Sequence, residues 1–109
     1  MVHPDQLTDD GFEYYALDGV CGVFHPAMWW GLYMAHYGVL PSAWGRTTEP
    51  GKAILRQFWE DRQPEKIIGW TDSRNRAALS YARRLGFREY ARLKLSESTI
   101  VQQEWTPWQ

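Results

Sequence analysis

The sequence predicts one mixed α/β (α+β) domain with the element order β-β-β-α-β-α-β-β. Residues 12–40 are rich in aromatic and β-branched side chains, which favours strands. Two later segments carry apolar residues at helical spacing, and short β-like runs accompany them at residues 66–70, 87–95 and 99–105. Alternating helices and strands imply parallel neighbours late in the chain, after an antiparallel meander. A chain of 109 residues suits one core.

The front of the domain is predicted to be three strands, over residues 12–17, 20–25 and 29–40. Asp18-Gly19 between the first two strands is a strong signal for a short hairpin turn. The third run is long and apolar enough to be buried on both faces at its centre, and Pro41 ends it. This segment therefore predicts an antiparallel meander.

The first helix is predicted over residues 49–62. Thr47 or Thr48 can cap it, and Pro50 suits its first turn because an N–H at that position would have no partner in the helix. Four apolar side chains at helical spacing form a stripe for burial, namely Ile54, Leu55, Phe58 and Trp59. Residues 63–65, with Pro64, separate this helix from the next strand.

The second helix is expected to be capped by Thr71, Asp72 or Ser73. One of its faces is apolar or small, and it consists of Ala77, Ala78, Tyr81, Ala82 and Leu85. Gly86 stands at the position where glycine most often ends a helix, because it adopts the left-handed conformation without strain. This segment therefore predicts a short amphipathic helix with a sharp end.

Composition and charge narrow the classes of function. The 12 basic and 13 acidic residues give a net charge of −1 without a basic block, so neither nucleic acid nor an anionic membrane is an expected partner. The densest basic stretch, which includes Arg83 and Arg84, is interpreted as a solvated surface. The single Cys21 cannot form an intramolecular disulfide and fits a reducing, cytoplasmic compartment. Residues 1–11 are interpreted as a polar lead-in to one domain over residues 12–109.

The stretch from Asn75 to Phe87 resembles the GNAT (N-acetyltransferase) pattern of an asparagine, a helix and Leu-Gly-Phe, here Leu85-Gly86-Phe87. The predicted element order from Phe12 onward is also similar to that of the family, without its usual first strand and first two helices. The resemblance covers roughly residues 12–106. It implies a truncated GNAT-like fold, with acetyl-CoA as the cofactor and an amine as the acceptor.

The resemblance also implies where acetyl-CoA would bind. The third strand would splay from its neighbour and offer backbone groups at Val39 and Leu40 to the pantetheine arm. The phosphate loop that follows normally reads V-x-P-x-x-R-G-x-G-x-G. Here Val39-Leu40-Pro41 matches, but Trp44 replaces the arginine, and Thr47 and Glu49 replace two glycines. Glycines let backbone N–H groups approach the phosphates, so binding of acetyl-CoA is expected to be weakened or lost.

Other residues could compensate in part for the missing glycines. Arg46, Lys52 and the backbone near Gly51 could contact the phosphates, and Asn75 could hold the pantetheine arm. Alternatively, Thr47 and Asn75 simply cap their helices. Both interpretations stay open at the level of sequence.

The residues that would donate and accept protons in acyl transfer are less clear from the sequence. The family's tyrosine proton donor falls here on Ala82, and Tyr81 lies one residue earlier, about 100° round the helix, where it is expected to pack inward. Tyr81 remains the candidate acid. Among Glu13, His25 and His36, the best placed base is His36, because it lies on the cleft strand shortly before Val39. The alternative is a hydrogen-bonded core histidine.

Other chemistries find no support in the sequence. Cys21 and His25 are four residues apart on one strand face, about 13 Å, which is too far for a nucleophile and its base. The three histidines and one cysteine share no metal-ligand spacing. Gly51-Lys52-Ala53 lacks the first glycine and the hydroxyl residue of a phosphate-binding P-loop.

The residues leave two functions open. The first is an acyl-CoA-dependent N-acetyltransferase with a degenerate coenzyme A loop. The second is a non-catalytic protein of head assembly or protein binding, which the replaced loop glycines, the displaced tyrosine and the excess of tryptophan favour. The chain also resembles short GNAT-like proteins of tailed bacteriophages, some of which act in head assembly or inside the virion, so the resemblance implies phage structural proteins as partners. Seven tryptophans favour an interface, with Trp29, Trp30, Trp105 and Trp108 as candidate anchors. Alternatively, these four cover the part of the sheet that the missing helices would normally cover. A sheet face without the usual helices would favour a homodimer.

Overall fold

The computed structural model describes residues 11–27 and 30–108, which form six strands and two α-helices in the predicted order. The strands are β1 (Glu13–Leu17), β2 (Val20–Pro26), β3 (Leu32–Val39), β4 (Lys66–Asp72), β5 (Arg88–Lys94) and β6 (Thr99–Trp105). The helices are α1 (Thr48–Arg62) and α2 (Arg76–Leu85). A short 3-10 turn at Pro41–Ala43 follows β3. The predicted mixed α/β class is confirmed.

The first two strands form the predicted hairpin. Asp18 and Gly19 have φ angles of 50° and 84°, as the two central residues of a type I′ turn require. Leu17 pairs with Val20 directly across the turn. Local turn chemistry therefore sets the register of the front of the sheet.

One sheet contains all six strands, in the order β1-β2-β3-β4-β6-β5. β3 pairs antiparallel with β2 along its whole length. Its other edge pairs with β4 in parallel, but only from Leu32 to Met34, opposite Lys66 to Ile68. Both strands continue beyond this point, β3 to Val39 and β4 to Asp72, and β4 stays paired there with β6. The sheet therefore divides between β3 and β4.

Both helices pack against a single apolar cluster on the sheet. The buried members of this cluster are Val20, Phe24, Ile54, Leu55, Phe58, Ile67, Leu85, Phe87 and Trp105. The rings of Phe24 and Phe58 stack at 4.0 Å, which locks β2 to α1. The indole of Trp105 donates a hydrogen bond to the carbonyl oxygen of Leu85, 3.0 Å away, and so ties β6 to the end of α2. Trp105 is thus a core residue, not the interface anchor that the sequence suggested.

Two expectations for the third strand and the second helix were wrong. β3 begins at Leu32, and its residues from Tyr33 to Val39 are half-buried rather than buried. From residue 35 onward its edge faces a gap. The predicted strand began at residue 29, which lies outside the described residues. α2 is capped by Asn75, as one of the two sequence-based interpretations of this residue predicted, and its side-chain oxygen accepts a hydrogen bond from the N–H of Ala78 at 3.1 Å. Thr71 and Asp72 come too early because β4 continues through Asp72, and Ser73 lies in the turn that follows, where its N–H donates to the carbonyl oxygen of Thr99 at 2.8 Å.

Helix ends otherwise follow their local signals. Gly86 adopts the left-handed conformation with φ 107° and ends α2 as predicted. Thr47 occupies the N-cap position of α1, although its side chain makes no capping hydrogen bond. Within residues 11–27 and 30–108, no helix is long and apolar enough to cross a membrane. The lead-in predicted for residues 1–11 lies, except for Gly11, outside the part that the structure describes.

Candidate functional site

The gap between β3 and β4 opens into a cleft of about 750 Å³. This volume lies within the usual range for sites that bind small molecules or cofactors. Its walls come from β3, β4, α2 and the loop before α1, and they include Val39, Trp70, Asn75 and Tyr81. Because both helices follow a strand that borders the gap, the topology brings their N-terminal ends to this cleft.

The facing edges of β3 and β4 provide backbone groups to the cleft. Among the described residues, no backbone pairing joins the two strands beyond Met34 and Ile68. Each strand still uses its other edge, since β2 holds β3 and β6 holds β4. A buried backbone edge needs hydrogen-bond partners, and an extended ligand can supply them in the manner of an added strand.

The N-terminus of α1 lies at one end of the cleft, where Thr47 is a lining residue. The first N–H groups of a helix have no partner inside it, so those of Thr48 and Glu49 can bind an anion. Pro50 contributes no N–H, and the N–H of Gly51 already donates to the carbonyl oxygen of Thr47 at 3.1 Å. The loop therefore offers fewer donors than a glycine-rich phosphate loop does.

Arg84 supplies a cation at this end of the cleft. Its Nε lies 3.4 Å from the hydroxyl oxygen of Thr48, and its Nη1 donates to the Ser80 hydroxyl at 2.7 Å. The guanidinium carbon is 5.6 Å from the ring centre of Tyr81. This residue was not among the predicted site residues, because Arg83 and Arg84 belong to one basic stretch of the sequence. The available signal was helical spacing, since Arg84 lies three residues after Tyr81 on the face of α2 that lines the cleft.

The structure brings only half of the predicted site residues together. Four of them line the cleft, namely His36, Val39, Asn75 and Tyr81. The other four, Leu40, Arg46, Gly51 and Lys52, are not among its lining residues. The N–H of Leu40 donates to the carbonyl oxygen of Gly19 at 2.9 Å, so it points away from the cleft. The guanidinium of Arg46 donates to the Ser42 carbonyl oxygen at 2.7 Å.

Gly51 is a packing residue of α1. Its carbonyl oxygen accepts a hydrogen bond from the hydroxyl of Tyr37 at 3.0 Å. A Cβ at position 51 would collide with the Tyr81 hydroxyl and would lie 2.6 Å from Leu85 Cδ2. Glycine is therefore required here because α2 approaches the first turn of α1 closely.

The side chain of Tyr81 packs inward, as the sequence analysis expected. Its hydroxyl donates to the carbonyl oxygen of Thr47 at 2.8 Å. Burial raises the pKa of Tyr81 to about 12, although the side chain of Thr47 and the charge of Arg84 oppose this rise. Ala82, at the position of the family's tyrosine, packs against the apolar core. The Tyr81 hydroxyl therefore keeps its proton near neutral pH, and it lies at the end of the cleft next to α1.

His36 is the imidazole that lines the cleft, and it contacts a second histidine. Its Nε2 lies 2.9 Å from Nε2 of His25 on the neighbouring strand. Burial lowers the pKa of His36, and the charge of His25 lowers it further, so His36 is neutral near pH 7. The third candidate base, Glu13, instead accepts a hydrogen bond from Arg62 of α1 at 2.7 Å. His36 is therefore the base candidate with access to the cleft.

Asp72 places a carboxylate on the β4 side of the cleft. The side chain of Arg74 and then its backbone N–H lower the pKa of Asp72 to about 2. By contrast, burial raises the pKa of the Cys21 thiol, which is opposite to what a nucleophilic cysteine needs. No group of three or more potential metal ligands comes together in the part of the chain that the structure describes.

Comparison with known proteins supports the fold through structure alone. No family model matches the sequence. No curated protein matches it either. Solved structures do match, and three examples are acetyltransferases. The spermidine N-acetyltransferase SpeG of Vibrio cholerae, in its F149A form, superimposes with a TM-score of 0.74 at 11% identity, over 88% of this chain and 66% of that one.

The other two examples are also distant in sequence. A GNAT-family acetyltransferase of Bacillus anthracis has a TM-score of 0.67 at 16% identity, over 78% of this chain and 56% of its own. RimL, a ribosomal L7/L12 α-N-protein acetyltransferase solved in complex with coenzyme A, has a TM-score of 0.64 at 15% identity. The match covers 78% of this chain and 53% of RimL. This chain thus spans little more than half of the length of these two proteins. At such identities the likeness concerns the fold, and this chain has the fold of the GNAT acetyltransferases.

Proposed function

We propose that this protein binds an acyl thioester of the acetyl-CoA type in its cleft and transfers the acyl group to an amine. The observation that carries the proposal is the divergence of β3 and β4 after Met34 and Ile68. It leaves two unpaired backbone edges beside a cleft of about 750 Å³, at whose end a helix N-terminus and a cation meet. A long ligand with a polar amide arm and an anionic end has complementary chemistry along this path.

The residues of the cleft fit such a cofactor better along the arm than at the phosphates. The backbone of β3 near Val39 would hold the pantetheine amides, because that edge has no strand partner. The N–H groups of Thr48 and Glu49, together with Arg84, would hold the phosphates. The Glu49 carboxylate opposes this binding by repulsion. When bound, acetyl-CoA supplies a carbonyl carbon that is activated for attack by an amine.

The chain's own groups would then handle the protons. His36, neutral and on the cleft, takes the proton of the incoming amine. The side-chain oxygen of Asn75 caps α2, and its side-chain NH2 group, on the cleft, would donate to the pantetheine arm. Tyr81 is the proposed acid, and it must release the carbonyl oxygen of Thr47 before it can donate its proton elsewhere.

Ligand-induced thermal stabilisation tests the proposal. A ligand at about 100 times its dissociation constant stabilises the folded state by about 2.7 kcal/mol. Saturating acetyl-CoA should therefore raise the melting temperature by several degrees. Arg84→Gln should reduce this rise, whereas Arg83→Gln, on the exposed face of the same helix, should leave it unchanged. Glu49→Gln should enlarge it because a repelling charge is removed. The absence of any shift at millimolar acetyl-CoA would contradict the proposal.

The second candidate is a non-catalytic protein of phage head assembly or protein binding, located in the host cytoplasm or in the virion. Two of the tryptophans that the sequence analysis selected support it, since Trp30 is 94% exposed and Trp108 is 75% exposed. Trp29 lies outside the described residues. This second function predicts that the protein forms a homodimer or binds a partner protein. Trp30→Ala and Trp108→Ala should weaken either association. Analytical ultracentrifugation over a range of protein concentrations measures the self-association.

A further inference from the structure

Two histidines on adjacent strands share one hydrogen. Nε2 of His25 and Nε2 of His36 are 2.9 Å apart, while their ring centres are 5.0 Å apart with an interplanar angle of 9°. Because the ring centres are much farther apart than the nitrogens, the rings meet edge to edge through these two atoms. One Nε2 must carry the hydrogen and the other must accept it, because two N–H groups would repel each other and two lone pairs would form no bond.

A backbone carbonyl decides which nitrogen is the donor. Nδ1 of His25 lies 3.1 Å from the carbonyl oxygen of Pro26, and a carbonyl oxygen can only accept. Nδ1 of His25 therefore carries its hydrogen. A neutral imidazole has a single N–H, so Nε2 of His25 is the acceptor and Nε2 of His36 is the donor. The lone pair of neutral His36 is then left on Nδ1.

We infer that His25 is a positioning residue, which holds His36 in the Nε2–H tautomer and so makes Nδ1 of His36 the atom that accepts the amine proton. This inference rests on the proposed acyl transfer. The ammonium form of the acceptor breaks one N–H bond, Nδ1 of His36 forms one, and the positive charge moves to His36. The Nε2–H of His36 then makes a charge-assisted hydrogen bond to His25, which stabilises the imidazolium.

Packing holds the pair in this arrangement. The ring of Phe12 lies 4.8 Å from that of His25 at an angle of 32°, which restricts rotation of the His25 ring. Strand pairing places His25 opposite Met34, so the two histidines are diagonal neighbours on one face of the sheet. By strand alternation, the other titratable side chains on this face of β1, β2 and β4 are Tyr14, Cys21, Lys66 and Asp72. The pair accepts one proton more readily than two, because each positive charge opposes the other.

Nitrogen-15 NMR of the full chain, labelled at histidine, tests the inference without any turnover. The wild-type spectrum should show His36 as the pure Nε2–H tautomer and a scalar coupling between the two Nε2 atoms through the hydrogen bond. Two variants separate packing from hydrogen bonding. His25→Phe keeps a ring but has no acceptor, and it should abolish the coupling and mix the tautomers of His36. His25→Gln places an amide oxygen near the former Nε2 and should retain the tautomer.

Steady-state acyl transfer provides the second readout. His25→Phe should lower kcat by about 10-fold or more, as the loss of an orienting partner does, with little change in KM for acetyl-CoA. His25→Gln should recover part of this loss. A wild-type spectrum with the hydrogen on Nδ1 of His36, or without the coupling, overturns the inference even if a variant fails to fold. If the enzyme is active but His36 carries its hydrogen on Nδ1, the positioning role of His25 is refuted and the proposed acyl transfer is not. The expected tautomer without acetyl-CoA binding or turnover refutes acyl transfer, and the positioning role with it.

Discussion

The contact between the two helices at Gly51 leads to a stability prediction with a definite sign. Replacing a helical glycine by alanine ordinarily stabilises a protein by about 1 kcal/mol, because the unfolded chain loses freedom. At this position the added methyl group would meet the hydroxyl of Tyr81 and Leu85 Cδ2, the latter at 2.6 Å. Gly51→Ala should therefore destabilise the protein.

The magnitude follows from three contributions. Overpacking of a core contact costs about 2 kcal/mol. Displacement of Tyr81 also breaks its 2.8 Å hydrogen bond to Thr47, at about 1 kcal/mol. The gain in helix propensity offsets about 1 kcal/mol. We expect a net loss of about 2 kcal/mol, which lowers the melting temperature of a domain of this size by roughly 8 °C.

Urea denaturation of a double-mutant cycle measures the contact itself. Tyr81→Phe removes the hydroxyl that the new methyl group would meet, so Gly51→Ala should cost about 1 kcal/mol less in that background. Ala53→Gly, at an exposed position of α1, is the matched control and should cost about 1 kcal/mol in both backgrounds. Stabilisation by Gly51→Ala, or a coupling energy below about 0.5 kcal/mol, would refute the proposed contact between Gly51 and Tyr81.

Three further predictions concern the core, a cap and an ion pair. Phe58→Ala removes a ring that has no exposed surface and stacks on Phe24. It should lower the free energy of unfolding, measured by urea denaturation, by about 3–5 kcal/mol, clearly more than Phe58→Leu does. Equal losses for the two variants would contradict this prediction. Asn75→Ala should cost about 1 kcal/mol, and Asn75→Ser much less, because serine can also cap α2; an equal loss for both variants would show that the cap is not the cause. Arg74→Gln should raise the pKa of Asp72 from about 2 towards 3.8, as carboxyl NMR titration measures. Because the folded pKa is the lower one, the stabilisation by this pair is present above pH 3.8 and disappears as the pH falls through 2; an unchanged titration would disprove the pairing in solution.

The helices, strands and turns could be predicted from short sequence patterns, because interactions between residues close in sequence form them. The Asp18-Gly19 turn, the apolar stripe of α1 and the Gly86 terminus depend on residues that are close in sequence. The first cap of α2 was misplaced for a related reason. Thr71 and Ser73 are good caps, but pairing with β6 holds β4 in a strand up to Asp72, and the N–H of Ser73 bonds to Thr99. Asn75 is therefore the residue that caps α2.

The site was predictable only in part. Spacing and resemblance selected His36, Val39, Asn75 and Tyr81, and all four line the cleft. The backbone contacts of the other four candidates could not be foreseen, because they depend on how the chain turns after β3. Whether any of these eight residues acts on a ligand stays a prediction.

The sequence by itself determined the mixed α/β class, the order of its elements and the replacement of loop glycines by Thr47 and Glu49. The tertiary structure alone decided where β3 and β4 part, after three paired residues, that Arg84 reaches the start of α1, and that His25 meets His36. These features join segments that are distant in the sequence. Pairing across a sheet and packing between helices depend on the whole core, whereas periodicity and turn chemistry act within a few residues.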